Sequence, residues 1–148
     1  MRAWRRFLIV HSRVTRQLGD ELEDEQHLAL ASYDVLLQLA EAPDGLRMSE
    51  LADAVLLSRS GLTRLVDRLV RDALVERRSC PIDGRGTYAV LTPKGRDQLR
   101  SASSTHMRGV AEHFVNHYTP AELDTLAELL GRLLPPGPES QSTCGQDA

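Results

Sequence analysis

The sequence feature that most constrains the fold is a change of hydrophobic period near residue 73. From Ser58 to Asp72, apolar residues recur at the spacing of one helix face. They are Leu62, Leu65, Val66, Leu69 and Val70. Residues 74–78 and 87–91 instead read as two short strands, and the loop between them contains Asp83-Gly84, a strong turn signal. The pattern therefore predicts an amphipathic helix that leads directly into a hairpin.

The second face of this helix is polar and basic. Ser58 precedes the helix, and its hydroxyl is expected to cap the first backbone amides. The outward positions are Ser60, Thr63, Arg64, Asp67 and Arg71, flanked by Arg59 and Arg68. One face can be buried while the other offers hydrogen-bond donors and positive charge.

Helical spacing and capping residues predict five further helices. Their expected ranges are about 2–22, 32–42, 49–55, 93–117 and 120–134. Pro43 ends the second of these ranges, and Thr92, followed by proline, begins the long one. Thr119 and Glu122 have the spacing of a capping box at the start of the last. Residues 135–148 begin with a proline-rich run and are expected to form a disordered tail.

Length and composition favour a globular protein outside the membrane. The 148 residues fit one domain, expected to span residues 1–134. The longest apolar runs are far shorter than the ~20 residues that cross a bilayer. The N-terminus lacks the long apolar stretch and cleavage site of a signal peptide, so we expect a cytoplasmic protein. The two cysteines, Cys80 and Cys144, do not suggest a disulfide framework.

Charge is unevenly divided along the chain. Residues 59–100 contain ten basic and five acidic residues, a net charge of +5. Since the whole chain carries −3, the remainder carries −8. Attraction to phosphate depends on the local surface rather than on the total charge. The basic segment therefore supports a localised site for a polyanion.

The order of elements is that of a winged helix-turn-helix. A short helix, a tight connection, an amphipathic helix with a polar outer face and a basic-tipped hairpin follow one another. The major groove of B-DNA admits one helix, whose side chains can reach base edges. An arginine at a hairpin tip can reach the adjacent minor groove, where negative potential favours a cation.

Four segments resemble the MarR (multiple-antibiotic-resistance regulator) family of transcriptional regulators. They are residues 28–36, Ser49-Glu50-Leu51-Ala52, residues 58–69, and the wing with the start of the next helix at residues 74–95. The likeness covers about residues 28–95 closely, and the outer helices only in length and placement. One departure is Ala29, which stands where the family often has a capping threonine or serine.

The resemblance implies a homodimer on a palindromic double-stranded DNA operator, with a winged helix-turn-helix at about 28–95. The first helix (about 2–22) and the last two (about 93–134) would form the dimer. The residues implied to contact DNA are Ser58, Arg59, Ser60, Thr63, Arg64 and Arg68 in the helix, and Arg85 in the minor groove. Asp83 is expected to orient Arg85. Repression of transcription is the expected default.

The resemblance also implies a small effector, possibly an aromatic anion, in a cleft between the dimer helices and the DNA-binding part. The candidate residues are Arg13, Tyr33, His11 and Trp4, with Phe7 and Met107 beside them. An arginine could pair with a carboxylate while rings sandwich the ligand. The alternative is that Trp4, Phe7 and Met107 pack in the dimer core.

Other sensing chemistries and other classes of protein stay open at this point. His113 and His117, four apart on an expected helix face with His106 nearby, could bind zinc, although no metal or other cofactor is predicted. Cys80, beside two arginines, could act as a thiol sensor. No nucleophile–base set or phosphate-binding glycine loop indicates an enzyme. A protein-interaction module would lack salt-dependent affinity for a duplex.

Overall fold

The computed structural model describes residues 1–55, 58–79 and 87–134. Within these ranges the chain forms six α-helices, a 3₁₀ turn and three β-strands. In chain order they are α1 (Arg2–Gln26), α2 (Leu30–Glu41), β1 (Leu46–Arg47), α3 (Met48–Ala54), α4 (Arg59–Arg71), β2 (Val75–Ser79), β3 (Thr87–Leu91), α5 (Pro93–His113), the 3₁₀ turn (Val115–His117) and α6 (Pro120–Gly131). The mainly helical winged helix-turn-helix class is confirmed.

Helices α2, α3 and α4 pack with the sheet around one apolar core. Side chains that are at most 1% exposed come from each of these helices, and they are Val35, Leu36, Leu39, Leu51, Leu62, Val66 and Leu69. Burial of each such side chain stabilises the fold by about 1.5–3 kcal/mol. Since α4 supplies three of the seven, the core fixes which face of α4 remains outside.

The sheet has the strand order β1–β3–β2, and both pairings are antiparallel. Val75 pairs with Leu91 and Ser79 with Thr87, which confirms the two strands of the predicted hairpin. Leu46 pairs with Ala89 in the additional strand β1. We did not predict β1, because two residues are too short to show a strand period.

Helices α1 and α5 lie against each other at close range. A Cβ at Gly109 would lie 2.4 Å from Oε2 of Glu21 and 2.7 Å from Cδ2 of Leu18. Further along, the side chain of Gln26 bonds to α5 twice: its Nε2 donates to Oγ1 of Thr105 at 3.0 Å, and its Oε1 accepts from Oγ of Ser101 at 2.7 Å. Gly109 allows α1 and α5 to approach closely because it has no side chain, and hydrogen bonds from the end of α1 to α5 stabilise the helix pair.

Three predicted helix ends differ from the structure by three residues or more. α6 ends at Gly131 rather than near residue 134. α1 continues beyond residue 22 to Gln26, because side chains of its last turn bond to α5. α5 ends at His113 instead of His117, since Phe114 leaves the helical region at φ −135°. His113 and His117 therefore do not share one face of a continuous helix. No helix of the described residues is both long and apolar enough to cross a membrane.

The predicted tail, the wing tip with Asp83 and Arg85, and both cysteines lie outside the described residues. Ala29, the departure noted in the sequence, is the N-cap of α2 and makes no side-chain capping bond.

Candidate nucleic-acid interface

Helix α4 presents its polar face to solvent because its apolar face packs into the core, and because the helix also contacts α3 and β2. Leu62 and Val66 are fully buried and Leu69 is 1% exposed. Contacts with α3 and with β2 secure the helix from its two flanks. The outer positions Arg59, Ser60, Thr63, Arg64 and Arg68 are all exposed.

The N-terminus of α4 is fixed by hydroxyl groups. Oγ of Ser58 accepts a hydrogen bond from the Gly61 amide at 3.2 Å, which confirms the predicted cap. Oγ of Ser60 lies 3.4 Å from Oγ of Ser58, and Oγ1 of Thr63 donates to the Arg59 carbonyl at 2.9 Å. The free amides of a helix N-terminus carry partial positive charge. This end is therefore suited to a negatively charged partner.

The one carboxylate of α4 pairs with an arginine outside this helix, so it does not neutralise the arginines of α4 itself. Asp67 forms an ion pair with Arg77 of β2 at 2.9 Å. Within residues 1–55, 58–79 and 87–134, no carboxylate pairs with Arg59, Arg64 or Arg68. The outer face of α4 thus has a net positive charge.

Arg68 stands where α4 approaches the long helices. It lines a cavity of about 500 Å³ together with Asp72, Lys94 and Gln98. Nζ of Lys94 donates to the Asp72 carbonyl at 2.8 Å, so this lysine closes the C-terminal end of α4. Arg68 lies one turn further from the helix N-terminus than Arg64, and its place in this cavity puts it at the edge of the exposed face.

Sequence reasoning missed Arg47, which belongs to the sheet beside α4. Arg47 is the N-cap residue of α3, and its backbone amide donates to Oε2 of Glu50 at 2.8 Å. Its Nε donates to the Tyr88 hydroxyl at 3.1 Å, and its guanidinium carbon lies 5.5 Å from the centre of the Tyr88 ring. Only the register of β1 against β3 brings these two side chains together.

The candidate effector residues fall into separate places. Trp4, Phe7 and His11 stack in a row along α1, with ring centres 6.0 and 6.2 Å apart. Tyr33 is 4% exposed and stacks on His106 at 4.5 Å. Arg13 lines a different cavity, between α1 and the end of α5. Met107, the additional candidate, is 62% exposed.

His106 of α5 and Asp34 of α2 are both partly buried, and each influences the charge of the other. Burial lowers the pKa of the His106 imidazole below its usual value, while the nearby Asp34 carboxylate opposes this shift. Burial also raises the pKa of Asp34, and His106 opposes that shift. Nδ1 of His106 is buried without a hydrogen-bond partner among the described residues. At neutral pH the imidazole is therefore held in its neutral form.

His113 and His117, the histidines considered for zinc, lie near the end of α5, and Glu21 of α1 contacts the first of them. Nε2 of His113 pairs with Oε1 of Glu21, and Nδ1 of His113 lies 3.3 Å from Nε2 of Gln17. His117 follows in the 3₁₀ turn. Among the described residues, no three histidine, cysteine or acidic side chains are grouped so that they could hold a metal ion.

Fold and exposed helix together define the class of a winged helix-turn-helix protein, and the comparisons with known proteins agree. A model described as "MarR family" matches residues 28–86. AbsC, a MarR family transcriptional regulator from Streptomyces coelicolor, is 35% identical, with a TM-score of 0.82 over 88% of each chain. Sco3205, a MarR family regulator of the same organism solved in complex with DNA, is 30% identical, with a TM-score of 0.84 over 91% of this chain and 87% of its own.

A curated relative extends the agreement in sequence. The putative transcriptional regulatory protein for the hcr operon of Thauera aromatica is 30% identical over 118 residues, which are 80% of this chain and 70% of the relative. The chain belongs to the MarR family of transcriptional regulators. Its class is that of a DNA-binding regulator and not that of an enzyme.

Proposed function

We propose that this protein binds a palindromic operator as a homodimer, with one α4 in each of two successive major grooves. It represses transcription in the cytoplasm until a small effector releases it. The observation that carries the proposal is the outer face of α4, where Arg59, Arg64 and Arg68 are exposed and unpaired with carboxylates among the described residues. Sco3205, which is 30% identical, is solved in complex with DNA, and this supports DNA as the partner of the present chain.

Each named residue has a role that follows from its position on α4. Ser58, Arg59, Ser60, Thr63 and Arg64 occupy the first part of the helix, where side chains and free amides meet bases or nearby phosphates. Arg68, one turn further along, is assigned to a phosphate. Arg85, which lies outside the described residues, is assigned to the minor groove on the resemblance alone.

Exposed apolar side chains support a dimer made by α1, α5 and α6. Trp4, Phe7 and Ile9 are 46–59% exposed on α1, and Leu133 and Leu134, just after α6, are 70–81% exposed. An apolar groove of about 490 Å³ is lined by α1, by α6, and by Phe114 and Tyr118 on either side of the 3₁₀ turn. Apolar surface of this extent on a soluble protein marks an interface. We therefore assign it to the second copy of the chain.

The test is a fluorescence-anisotropy titration of the DNA upstream of the gene, with wild-type protein and with Arg64→Ala and Arg68→Ala. Each substitution should weaken binding by about 1–3 kcal/mol because it removes a cation that meets DNA. Arg100→Ala, which removes the same charge from α5, is the matched control and should bind like the wild type. Circular dichroism checks that all variants fold.

Unchanged affinity in both α4 variants would contradict the placement of α4 in the groove. Size-exclusion chromatography with light scattering tests the dimer, and a folded monomer that binds the operator equally well would contradict it.

A further inference from the structure

Five arginines form a row along one side of the first half of α1. Residues 1–19 contain no aspartate or glutamate, so nothing acidic interrupts this row in the sequence. At 3.6 residues per turn, the five positions fall within an arc of about 100° around the helix axis, and at 1.5 Å per residue they extend over about 21 Å. We call this surface the arginine stripe, and it consists of Arg2, Arg5, Arg6, Arg13 and Arg16.

The packing of α1 turns the stripe toward solvent. The buried residues of α1 are Leu18 and Leu22, on the side that packs against α5. The arginines project from the opposite side of the helix, and all five are exposed. Arg6 and Arg13 stand at the border of the stripe, since Arg6 lines the apolar groove assigned to the second copy and Arg13 lines the cavity beside the end of α5. The other three arginines line neither.

No carboxylate of the described residues neutralises the stripe. None of the ion pairs within residues 1–55, 58–79 and 87–134 involves one of its arginines. Two carboxylates of the second half of α1 are engaged on α5, because Glu21 pairs with His113 and Glu25 pairs with Arg108. The charge of the five arginines is therefore available to an external polyanion.

We propose that the arginine stripe binds the phosphates of a second DNA segment while α4 holds the operator. Guanidinium groups bind phosphate oxygens through two parallel hydrogen bonds. One DNA strand carries a phosphate every 3.4 Å or so, and the length of the stripe therefore matches about six phosphates. Phosphate contacts carry no sequence information, so the second segment can have any sequence. That the first segment is an operator rests on the function proposed above.

The stripe lies too far from α4 to share one short duplex with it. Glu23 and Gln26, near the end of α1, line the same cavity as Arg68 of α4. At 1.5 Å per residue, Arg16 lies about 15 Å and Arg2 about 36 Å along the helix from Gln26. The stripe therefore occupies the end of α1 that points away from the DNA-binding part. The DNA that reaches it is a separate segment, and the protein would bridge the two.

A lipid surface fits this helix less well than DNA does. Basic amphipathic helices bind membranes by burying their apolar face among the lipids. On α1 that face is already in use, since Phe7, Val10 and Val14 line a groove together with Leu126 and Leu130 of α6. Only the charged side remains for a partner, and this favours a partner recognised by charge alone.

A second copy of α1 is the closer rival. The face that carries the stripe continues with three acidic residues, so two antiparallel copies could pair arginines with carboxylates. Ile9, 56% exposed, lies within the stripe and could add an apolar contact. Five arginines exceed three carboxylates, however, so such a contact would leave positive charge unpaired. The three acidic residues are Asp20, Glu23 and Asp24.

The test is a sandwich assay with the full-length protein. The protein is loaded on an immobilised duplex that carries the upstream palindrome, and a free duplex without the palindrome is added at about 50 mM salt. The loaded wild type should capture the free duplex with a dissociation constant of about 1–100 µM. The double variant Arg5→Gln with Arg16→Gln should weaken capture about tenfold or more, and should lower the slope of log affinity against log salt by about 2.

The control variant carries Arg100→Gln and Arg132→Gln. It loses the same charge, but from arginines that pair with Asp97 and Glu128 on the protein. Capture by this variant should equal that of the wild type. Circular dichroism checks folding, and Arg2→Gln with Arg16→Gln replaces the first pair should that pair fail to fold.

No capture by a wild-type protein that holds its operator would overturn the proposal, and so would equal capture by the stripe and control variants. A smaller assembly of the stripe variant in light scattering would also overturn it, because the stripe would then be a contact between copies. Binding to phosphatidylserine vesicles but not to the free duplex would do the same. Failure to load on the operator refutes the proposed function alone. The stripe is then tested by anisotropy with the free duplex, where equal affinity of the two double variants overturns the proposal.

Discussion

At the scale of single residues, the partner of each charged side chain decides what that side chain can do. Asp67 and Arg77 neutralise each other between α4 and β2. Arg78 pairs with Glu76 on the same strand. Arg59, Arg64 and Arg68 make no such pair within the described ranges. The sequence shows six arginines in this region, but only the structure separates those engaged on the protein from those available to DNA.

Asp67→Asn should strengthen binding to any duplex, because it removes a negative charge from the outer face of α4 and releases Arg77. The expected gain is up to about 1 kcal/mol, with a steeper dependence on salt. Folding stability should change by less than about 1 kcal/mol, as for other exposed ion pairs. The measurement is anisotropy with a non-specific duplex, and Asp97→Asn on α5 is the control. Weaker binding by Asp67→Asn would show that this carboxylate itself contacts the operator.

His106 should make the stability of the protein depend on pH. Because burial lowers the pKa of this imidazole in the folded state, the unfolded chain takes up its proton first as the pH falls below about 6.5. The contribution of His106 to stability is therefore present above that pH and is lost below it. The raised pKa of Asp34 acts in the opposite direction, since protonation of Asp34 relieves its burial as the pH falls.

Denaturant unfolding between about pH 7.5 and 5.5 measures this effect. His106→Gln should lose less stability than the wild type over that interval, and Asp34→Asn serves to isolate the contribution of the carboxylate. An identical pH dependence in the wild type and His106→Gln would contradict the assignment.

At the scale of elements, helix starts were predicted better than helix ends. Ser58, Thr92 and Thr119 accept the capping bonds expected from their side chains. Those bonds join residues three apart, so they can be recognised in the sequence. The end of α1 is set instead by bonds to Thr105 and Ser101 of α5, about 80 residues away. No local pattern contains that information.

The end of α4 offers a stability test. Ala73 follows the helix with φ 59°, and its amide and that of Leu74 close the last turn on Val70 and Leu69. Alanine is strained in this left-handed conformation and glycine is not. Ala73→Gly should therefore stabilise the protein by about 0.5–1 kcal/mol.

Thermal or denaturant unfolding checks this value against Ala127→Gly, an exposed position inside α6. The control should destabilise by about 1 kcal/mol, because glycine is a poor helix former. Destabilisation by both substitutions would contradict the left-handed conformation of Ala73 after α4.

At the scale of the whole molecule, the order of helices and strands was predictable because each period and cap is local. The division between a DNA-binding part and a pair of long helices followed from the family resemblance. The placement of effector candidates was not predictable in this way. The family resemblance predicts that Arg13 and Tyr33 share one ligand site. In the structure they are apart, because Arg13 lines the cavity between α1 and the end of α5, whereas Tyr33 stacks on His106. Which residues share a cavity depends on how α1 and α5 cross, and that crossing is set by contacts such as Gly109 against Leu18.

The measurement that tests the central claim most directly is the affinity of the wild-type protein for its upstream palindrome and for a scrambled duplex, at two salt concentrations. A dimer with α4 in two successive grooves should bind the palindrome tightly and prefer it by about 10³-fold or more. Its affinity should fall by about 10³-fold or more between roughly 50 and 200 mM salt. Equal affinity for both duplexes, or an affinity that does not change with salt, would contradict the account.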